Sequence, residues 1–256
     1  MRLQLIGTGT AFHTDGRGSS SLLVAPDGAP PFLVDLGPSA VAALERLAVD
    51  YAAIDRLFVT HLHGDHTAGW PFLRLNLTFG QGRERPFDVH GPRGVRDCLE
   101  GLCRLCYGEL LTASPRFAVR YHELEVAPAS DLRAGAVGFD VVPMDHHPTS
   151  IGYRFVAAGR SVGVTGDTRW CEGLERLARE SDLLVMECTT VAKSDQPHVS
   201  LEELRAGIDR LGGCRVVLVH LTDAVSVSLA ADPIPRVLAG HDGLTLEVGS
   251  RAGRGG

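Results

Sequence analysis

Apolar residues along this chain come in short blocks whose spacing alternates between the two-residue period of strands and the 3.6-residue period of helices. The blocks RLQLIG (2–7), SSLLVA (20–25) and PFLVDLG (31–37) predict an opening meander of short strands. PSAVAALERLA (38–48) has its apolar residues at helical spacing, with Pro38 near the first turn, where proline is tolerated. DRLFVT (55–60) predicts a strand, followed by a helical stretch from Asp65. A strand at FDVHGP (87–92), a helix from Val95 to about Leu111, and long strands over 117–126 and 136–144 come next. The second half repeats this rhythm: SVGVTGD (161–167), the helix CEGLERLARE (171–180), DLLVMEC (182–188), the helix SLEELRAGIDRLG (200–212) and CRVVLVH (214–220). Ser200 and Glu203 have capping-box spacing at the start of that last helix. Hairpin meanders beside βα units predict layered α/β architecture with mixed sheets. No low-complexity linker divides residues 1–256, so one domain is expected, ending in a frayed glycine-rich tail from about residue 250.

The strand ends carry the chemistry. Thr60 closes one apolar run and His61 follows; VVPM leads to Asp145 and His146, VGVTG to Asp167, LLVM to Glu187 and VVLV to His220. The carboxyl ends of strands are where α/β proteins place their ligands. VTHLHGDHTAG (59–69) adds His63, Asp65 and His66, a mixture of imidazole nitrogens and a carboxylate oxygen that suits zinc and similar metals. His61, His63, Asp65, His66, one of His146 and His147, Asp167 and His220 make seven ligands. That is too many for one tetrahedral ion and suits two with open positions. His13, His90, His122 and His241 lack a partner pattern and read as surface or packing residues, with His13 and Arg17 as contacts at the pocket rim.

Composition narrows the class. At 256 residues the chain can bury a full core, and 44% hydrophobic with 22% charged residues is ordinary for a globular protein. An excess of 31 acids over 25 bases, net charge −6, argues against a protein that coats nucleic acid, and no extended nucleic-acid surface is evident. The apolar stretch before Gly7 is too short for a signal-peptide core, and no window has the length of a membrane span. A cytoplasmic location is expected. Cys103 and Cys106 form a lone C-x-x-C within a helical pattern and read as buried helix cysteines, not as a zinc knuckle.

The intact H-x-H-x-D-H motif resembles the metallo-β-lactamase superfamily. GDHTAGWPFL, VHGPRGV, HHPTSIGYRF, the long VTGDTRWCEGLERLARESDLLVMECTT and HVSLEEL are similar to its ribonuclease Z and phosphodiesterase branch, and the similarity runs over almost the whole chain. The resemblance implies a four-layer αββα sandwich of two mixed β-sheets flanked by helices. It implies two divalent metal ions per chain, most often zinc, with manganese or iron as alternatives. His61, His63 and His146 would hold the first and Asp65, His66 and His220 the second, with Asp167 bridging. His146 is preferred to His147 because the family's histidine stands seven residues before the aromatic of a GY pair, here Tyr153. Glu187 and His198 would lie beside the metals, the carboxylate orienting the imidazole and raising its pKa while His198 protonates a leaving oxygen. Asp65 would orient a metal-bridging hydroxide as nucleophile. A homodimer is also implied.

Departures from the family refine the function. Transfer-RNA-processing members carry a long insertion after the GY segment, a flexible arm that grips the RNA; here Tyr153 to Asp167 leave no room for it. Thr222, Asp223 and Ala224 replace an S-R-Y sequence, and FHTDGRGSS replaces P-T-x-x-R-N. The expected activity is therefore hydrolysis of a small anionic substrate, a phosphodiester such as a cyclic nucleotide or short oligonucleotide. Hydrolysis of a lactone, thioester or sulfate ester on the same scaffold, or transfer-RNA 3′ processing, is the alternative, since fold and metals do not by themselves define a substrate.

Overall fold

A computed structural model of the chain describes residues 1–12, 14–113 and 115–249, with Thr14 described by its backbone alone. The expected tail and His13 lie outside the described residues. In chain order the elements are β1 (Arg2–Gly7), β2 (Ser21–Ala25), β3 (Phe32–Val34), α1 (Ala40–Arg46), β4 (Arg56–Phe58), α2 (Gly64–Thr67), α3 (Trp70–Leu75), β5 (Phe87–Pro92) and α4 (Val95–Tyr107). They continue with β6 (Val119–Leu124), β7 (Ala129–Ala134), β8 (Val137–Pro143), β9 (Ile151–Ala157), β10 (Arg160–Val164), α5 (Glu172–Glu180), β11 (Leu183–Glu187), α6 (Leu201–Gly207), β12 (Arg215–Val219), α7 (Asp223–Ala231), β13 (Val237–Ala239) and β14 (Thr245–Glu247).

The strands form two seven-stranded sheets, ordered β14-β1-β2-β3-β4-β5-β6 and β13-β12-β11-β10-β9-β8-β7. Three apolar clusters define four layers. One lies between the sheets, one between the first sheet and α1, α3 and α4, and one between the second sheet and α5, α6 and α7. Alternation along single strands shows why the apolar runs are continuous: Leu183 and Val185 enter the inter-sheet core while Leu184 and Met186 face the helices. A strand covered on both faces needs apolar residues at every position. Phe58 anchors the inter-sheet core, with Phe32, Phe139, Tyr153 and Phe155 all within 4.8–5.3 Å of its ring centre. This is the αββα sandwich of two mixed sheets that the sequence resemblance implies.

Both sheets are mixed, and their parallel portions aim at one edge. β3 to β6 are parallel in the first sheet and β10 to β13 in the second. Two hydrogen bonds stitch the sheets together there: Ile151 N–H donates to Thr60 O at 2.9 Å and the Tyr153 hydroxyl to Val59 O at 2.8 Å. The carboxyl ends of β4, β8, β10, β11 and β12 thereby meet.

Several boundaries differ from expectation. The helix from Val95 stops at Tyr107 because Gly108, at φ 57° and ψ −136°, turns the chain out of helical geometry. Within it Cys103 is buried but Cys106 is exposed, so only the first is a core cysteine. α6 has the expected capping box but is not the last helix; α7 follows, its sequence DAVSVSLAA lacking the charged stripe that marks an amphipathic helix. β7 and β9 go beyond the sequence expectation: β7 is a mostly exposed edge, whereas Ile151, Tyr153, Phe155 and Ala157 of β9 all face the inter-sheet core. Arg17 is not a free rim contact, since its guanidinium donates to Thr8 Oγ1, Gly240 O and Ser226 Oγ, each at 2.9 Å. No helix among the described residues is long and apolar enough to cross a membrane.

His90 is a packing residue. Its ring stacks between Phe58 at 4.7 Å and His122 at 4.3 Å, and its buried Nδ1 lacks a hydrogen-bond partner. Burial, then His122, push its imidazole down to about 4. The folded state keeps His90 neutral while the unfolded chain takes up a proton below about 6.5, so stability is lost as pH falls from 6.5 toward 4, by up to roughly 3 kcal/mol. His90→Phe should fill the same slot without that penalty. The melting-temperature advantage of the variant should widen between pH 7 and pH 5; an advantage independent of pH would contradict this account of His90.

Candidate metal centre

The convergent strand ends bring seven of the expected side chains into two groups. His61 follows β4 and is fully buried; its Nε2 lies 3.1 Å from His63 Nδ1, which lies 3.2 Å from His146 Nε2. An ion bound tetrahedrally at 2.0–2.1 Å by nitrogen would separate its ligands by about 3.3 Å, and both of these spacings match that separation. Asp65, His66, Asp167 and His220 form the second group, their donor atoms all within 4.8 Å of one another. His66 Nε2 is 3.2 Å from Asp65 Oδ2 and 3.4 Å from Asp167 Oδ1, and His220 Nε2 is 3.5 and 3.3 Å from the Oδ2 atoms of the same residues. Asp167 also reaches toward the first group, its Oδ2 lying 3.9 Å from both His61 Nε2 and His146 Nε2.

Whether these residues fit metal ions is answered by their unspent donors. His66 Nε2 and His220 Nε2 are buried yet make no hydrogen bond of acceptable geometry, although carboxylates surround them. Their opposite nitrogens are fully engaged: His66 Nδ1 donates to Asp35 Oδ2 at 2.7 Å and His220 Nδ1 to Thr189 Oγ1 at 2.8 Å. In the same way His61 Nδ1 meets Thr60 Oγ1 at 3.1 Å, and His146 Nδ1 donates to Pro197 O at 2.9 Å. Holding the outer nitrogen selects the tautomer whose inner nitrogen has a free lone pair, the arrangement expected around a bound ion. The residues fit two divalent cations.

Charge balance points the same way. Burial pushes Asp167 up, but His220 and His66 outweigh it and hold the carboxyl well below its usual range. Burial likewise raises Asp65, while hydrogen bonds from His220 and His66 bring it far down. His66 is held well above the ordinary imidazole range despite burial, because Asp167 and Asp35 face it. Anions this deep require positive charge beside them.

Residues 1–232 match the family model described as anti-Pycsar protein Apyc1. The chain belongs to that family. It is 31% identical to a ribonuclease Z of Mycobacterium bovis, the match covering 88% of this chain and 87% of the relative. The fold is that of human tRNase Z, short form, with a TM-score of 0.78 at 22% identity over 97% of this chain and all of that one. It is also that of the metallo-beta-lactamase fold protein YhfI from Bacillus subtilis, with a TM-score of 0.76 at 20% identity over 96% of this chain and 98% of that one. This Apyc1-family chain is thus a metal-dependent hydrolase in the ribonuclease Z and phosphodiesterase branch of the metallo-β-lactamase superfamily.

Beside the ligand groups of this Apyc1-family chain stand Glu187 and His198. His198 Nδ1 donates to Glu187 Oε1 at 2.8 Å, and the imidazole stacks on His220 at 5.2 Å. Glu187 also accepts from Thr168 N at 2.9 Å and from Thr189 Oγ1 at 3.0 Å. The glutamate orients His198, but the expected rise in imidazole pKa does not follow. Burial pushes His198 below its ordinary range, and Asp167 and Asp65 offset this only in part. Burial and Asp167 also push Glu187 well up, so both members are driven toward their uncharged forms. His147 sits outside the ligand groups, its Nδ1 2.8 Å from Thr149 Oγ1.

Sequence reasoning missed Asp35, the deepest support of the site. It ends β3 just as the named residues end their strands, so the same signal was available in PFLVDLG. Asp35 accepts from Thr60 N, Thr60 Oγ1 and His66 Nδ1 at 2.7–2.8 Å. It also missed Thr60 and Thr189, whose hydroxyls give no metal signature. Gly166 is required by geometry: it has φ 62°, and a Cβ there would lie 2.6 Å from Thr60 Cβ. Asp35→Ala should free the His66 ring, and a supporting residue of this kind is typically worth about 10–100-fold in metal affinity. Chelator competition should show a weakened site in this variant; unchanged metal retention would remove Asp35 from that role.

Proposed function

We propose that this Apyc1-family chain is a single-domain dinuclear phosphodiesterase acting on a small phosphodiester, such as a cyclic nucleotide or short oligonucleotide. The observation that carries the reading is the connection between β9 and β10. It consists of Ala158 and Gly159 alone, both left-handed at φ 49° and 72°, the tight turn that a hairpin favours. In the resembling transfer-RNA-processing enzymes the arm that grips the RNA emerges after the GY segment; here Gly152 and Tyr153 lie within a closed hairpin. The pocket is left with metal-ligating chemistry and no reach along a large RNA.

Two divalent cations, for which zinc suits this nitrogen-rich donor set, would be held by His61, His63 and His146 and by Asp65, His66 and His220 with Asp167 between them, supplying positive charge for a phosphoryl group and acidifying water toward neutrality. The protein's own groups complete the reaction. Asp65, 12% exposed at its side chain, accepts a hydrogen bond from the attacking water and orients it. In its doubly protonated form His198 delivers the Nε2 proton to the departing oxygen, while Glu187 accepts from Nδ1 and so sets the ring's direction; because burial pushes the imidazole below its ordinary range, that acid form gains population as pH falls. Glu187 is buried and acts through His198 as a positioning residue.

His198→Ala should cost about 10²–10⁴-fold on a phosphodiester with a poor alkoxide leaving group and much less on an activated nitrophenyl ester, which needs no protonation. Equal losses on both substrates, measured at saturating substrate, would take the acid role away from His198.

The 31% identity to a ribonuclease Z favours transfer-RNA trailer removal as the competing reading. The two readings separate on catalytic efficiency toward a cyclic nucleotide against a precursor transfer RNA with a 3′ trailer. The small substrate should win, and RNA processing should lack the steep salt dependence of a many-phosphate contact. Efficient, salt-sensitive trailer removal would overturn the proposal.

A further inference from the structure

Among the described residues, Arg169 at the rim of the site is held at its side chain by one long ion pair. Arg169 directly follows Thr168, whose N–H donates to Glu187 Oε1. The Arg169 N–H donates to Asp145 O at 2.8 Å, and Asp145 N–H donates to Thr168 Oγ1 at 3.0 Å. These bonds stitch the loop carrying Asp167 to the loop carrying His146. They plant the backbone of Arg169 between His146 on one side and the Glu187–His198 pair on the other.

Its side chain is free to move from that base. The guanidinium is 46% exposed, and its ion-pair partner is Asp145 Oδ1 at 3.6 Å, itself 60% exposed. A solvated contact of that length holds an arginine weakly. Two other cations near the site, among the described residues, have shorter contacts than this. Arg17 is tied to Thr8, Gly240 and Ser226, and Lys193, on the loop that carries His198, pairs with Glu203 at 3.2 Å.

We propose that Arg169 is the anion-reading residue of the pocket, its guanidinium taking a non-bridging phosphate oxygen of the substrate on the side where His198 meets the leaving group. The assignment rests on the phosphodiesterase reading above. A planar fork of N–H donors matches a phosphate better than an ammonium does, and a neutral ester, offering it no charge-assisted hydrogen bond, gains less from it. Arg169 thereby supplies what the ligand groups cannot, a positive contact with the substrate that does not depend on a metal ligand's position. It separates phosphodiesters from lactones and other uncharged esters that fit the same cleft.

The test uses the full-length zinc-loaded protein and two readouts. Calorimetric titration with inorganic phosphate should show Arg169→Ala weakened about tenfold or more, the loss expected for a charge-assisted hydrogen bond, with Arg169→Lys between it and the wild type. On bis(4-nitrophenyl) phosphate the alanine variant should raise KM by a similar factor and lower kcat less. Zinc content and melting temperature should be unchanged in both variants. Unaltered phosphate affinity in Arg169→Ala overturns the inference, as does a wild type that binds no phosphate, or zinc loss in both variants, which would make the side chain structural. Arg169-dependent phosphate binding without phosphodiester turnover by the wild type would reject the function proposed above and keep the anion site; turnover indifferent to Arg169 would do the reverse.

Discussion

Burying carboxylates at the end of a β-sandwich is costly unless positive charge or hydrogen-bond donors are placed around them. Asp35, Asp167 and Glu187 are each at most 4% exposed, and the site is organised by the need to compensate them. Asp35 is satisfied by donors alone, from Thr60 and His66. Glu187 is satisfied by Thr168, Thr189 and His198. Asp167 has imidazoles about it at 3.3–3.9 Å, whose facing nitrogens are shared among several carboxylate oxygens. Cations at the centre complete this balance more fully than imidazole protons do.

The fold meets that requirement by bringing strand ends from two sheets to one edge. Each side chain leaves its strand at the last buried position, so its direction is set by backbone already held in two apolar cores. Local strain is accepted at the same place. Asp35 and His220 are non-glycine residues at φ 57° and 53°, a region that costs free energy for most side chains. Asp35 is kept there by Asp35 N–H to Phe58 O at 2.8 Å, and His220 by bonds from its neighbours, Cys188 N–H to Val219 O and Leu221 N–H to Thr8 O. Of the non-glycine residues at positive φ, these two serve the centre: His220 aims a donor at it and Asp35 steadies His66.

Hydrogen bonds on the outer faces of the imidazoles then decide which nitrogen looks inward. For His61, His66, His146 and His220 the outer atom is Nδ1, so Nε2 faces the centre; His63 presents Nδ1 instead. A chain with the same ligands and different outer partners would present different lone pairs. Specificity thus lies one layer behind the residues that attract attention, in Thr60, Thr189, Asp35 and a backbone carbonyl at Pro197.

Much of this was legible in the order of residues. Continuous apolar runs ending in His61, Asp167, Glu187 and His220 report strands covered on both faces, and the carboxyl end of such a strand is a site by geometry. H-x-H-x-D-H is local enough that all four of its donors come from the loop after β4 and the first turn of α2. The capping box at Ser200 is equally local. What remained hidden depends on distant partners. That His61 Nε2 and His146 Nε2 flank His63 Nδ1 depends on two sheets packing across Phe58, which no spacing encodes. The downward push on His198, against the upward one expected from its glutamate, depends on how deeply the loop is buried. Asp35 sits 25 residues before Thr60 and 31 before His66, and only the pairing of β3 with β4 makes them neighbours. Sequence determined which chemical groups are present and which strands deliver them; the packing of one sheet on the other decided which atoms face each other, because distance and burial belong to the folded chain alone.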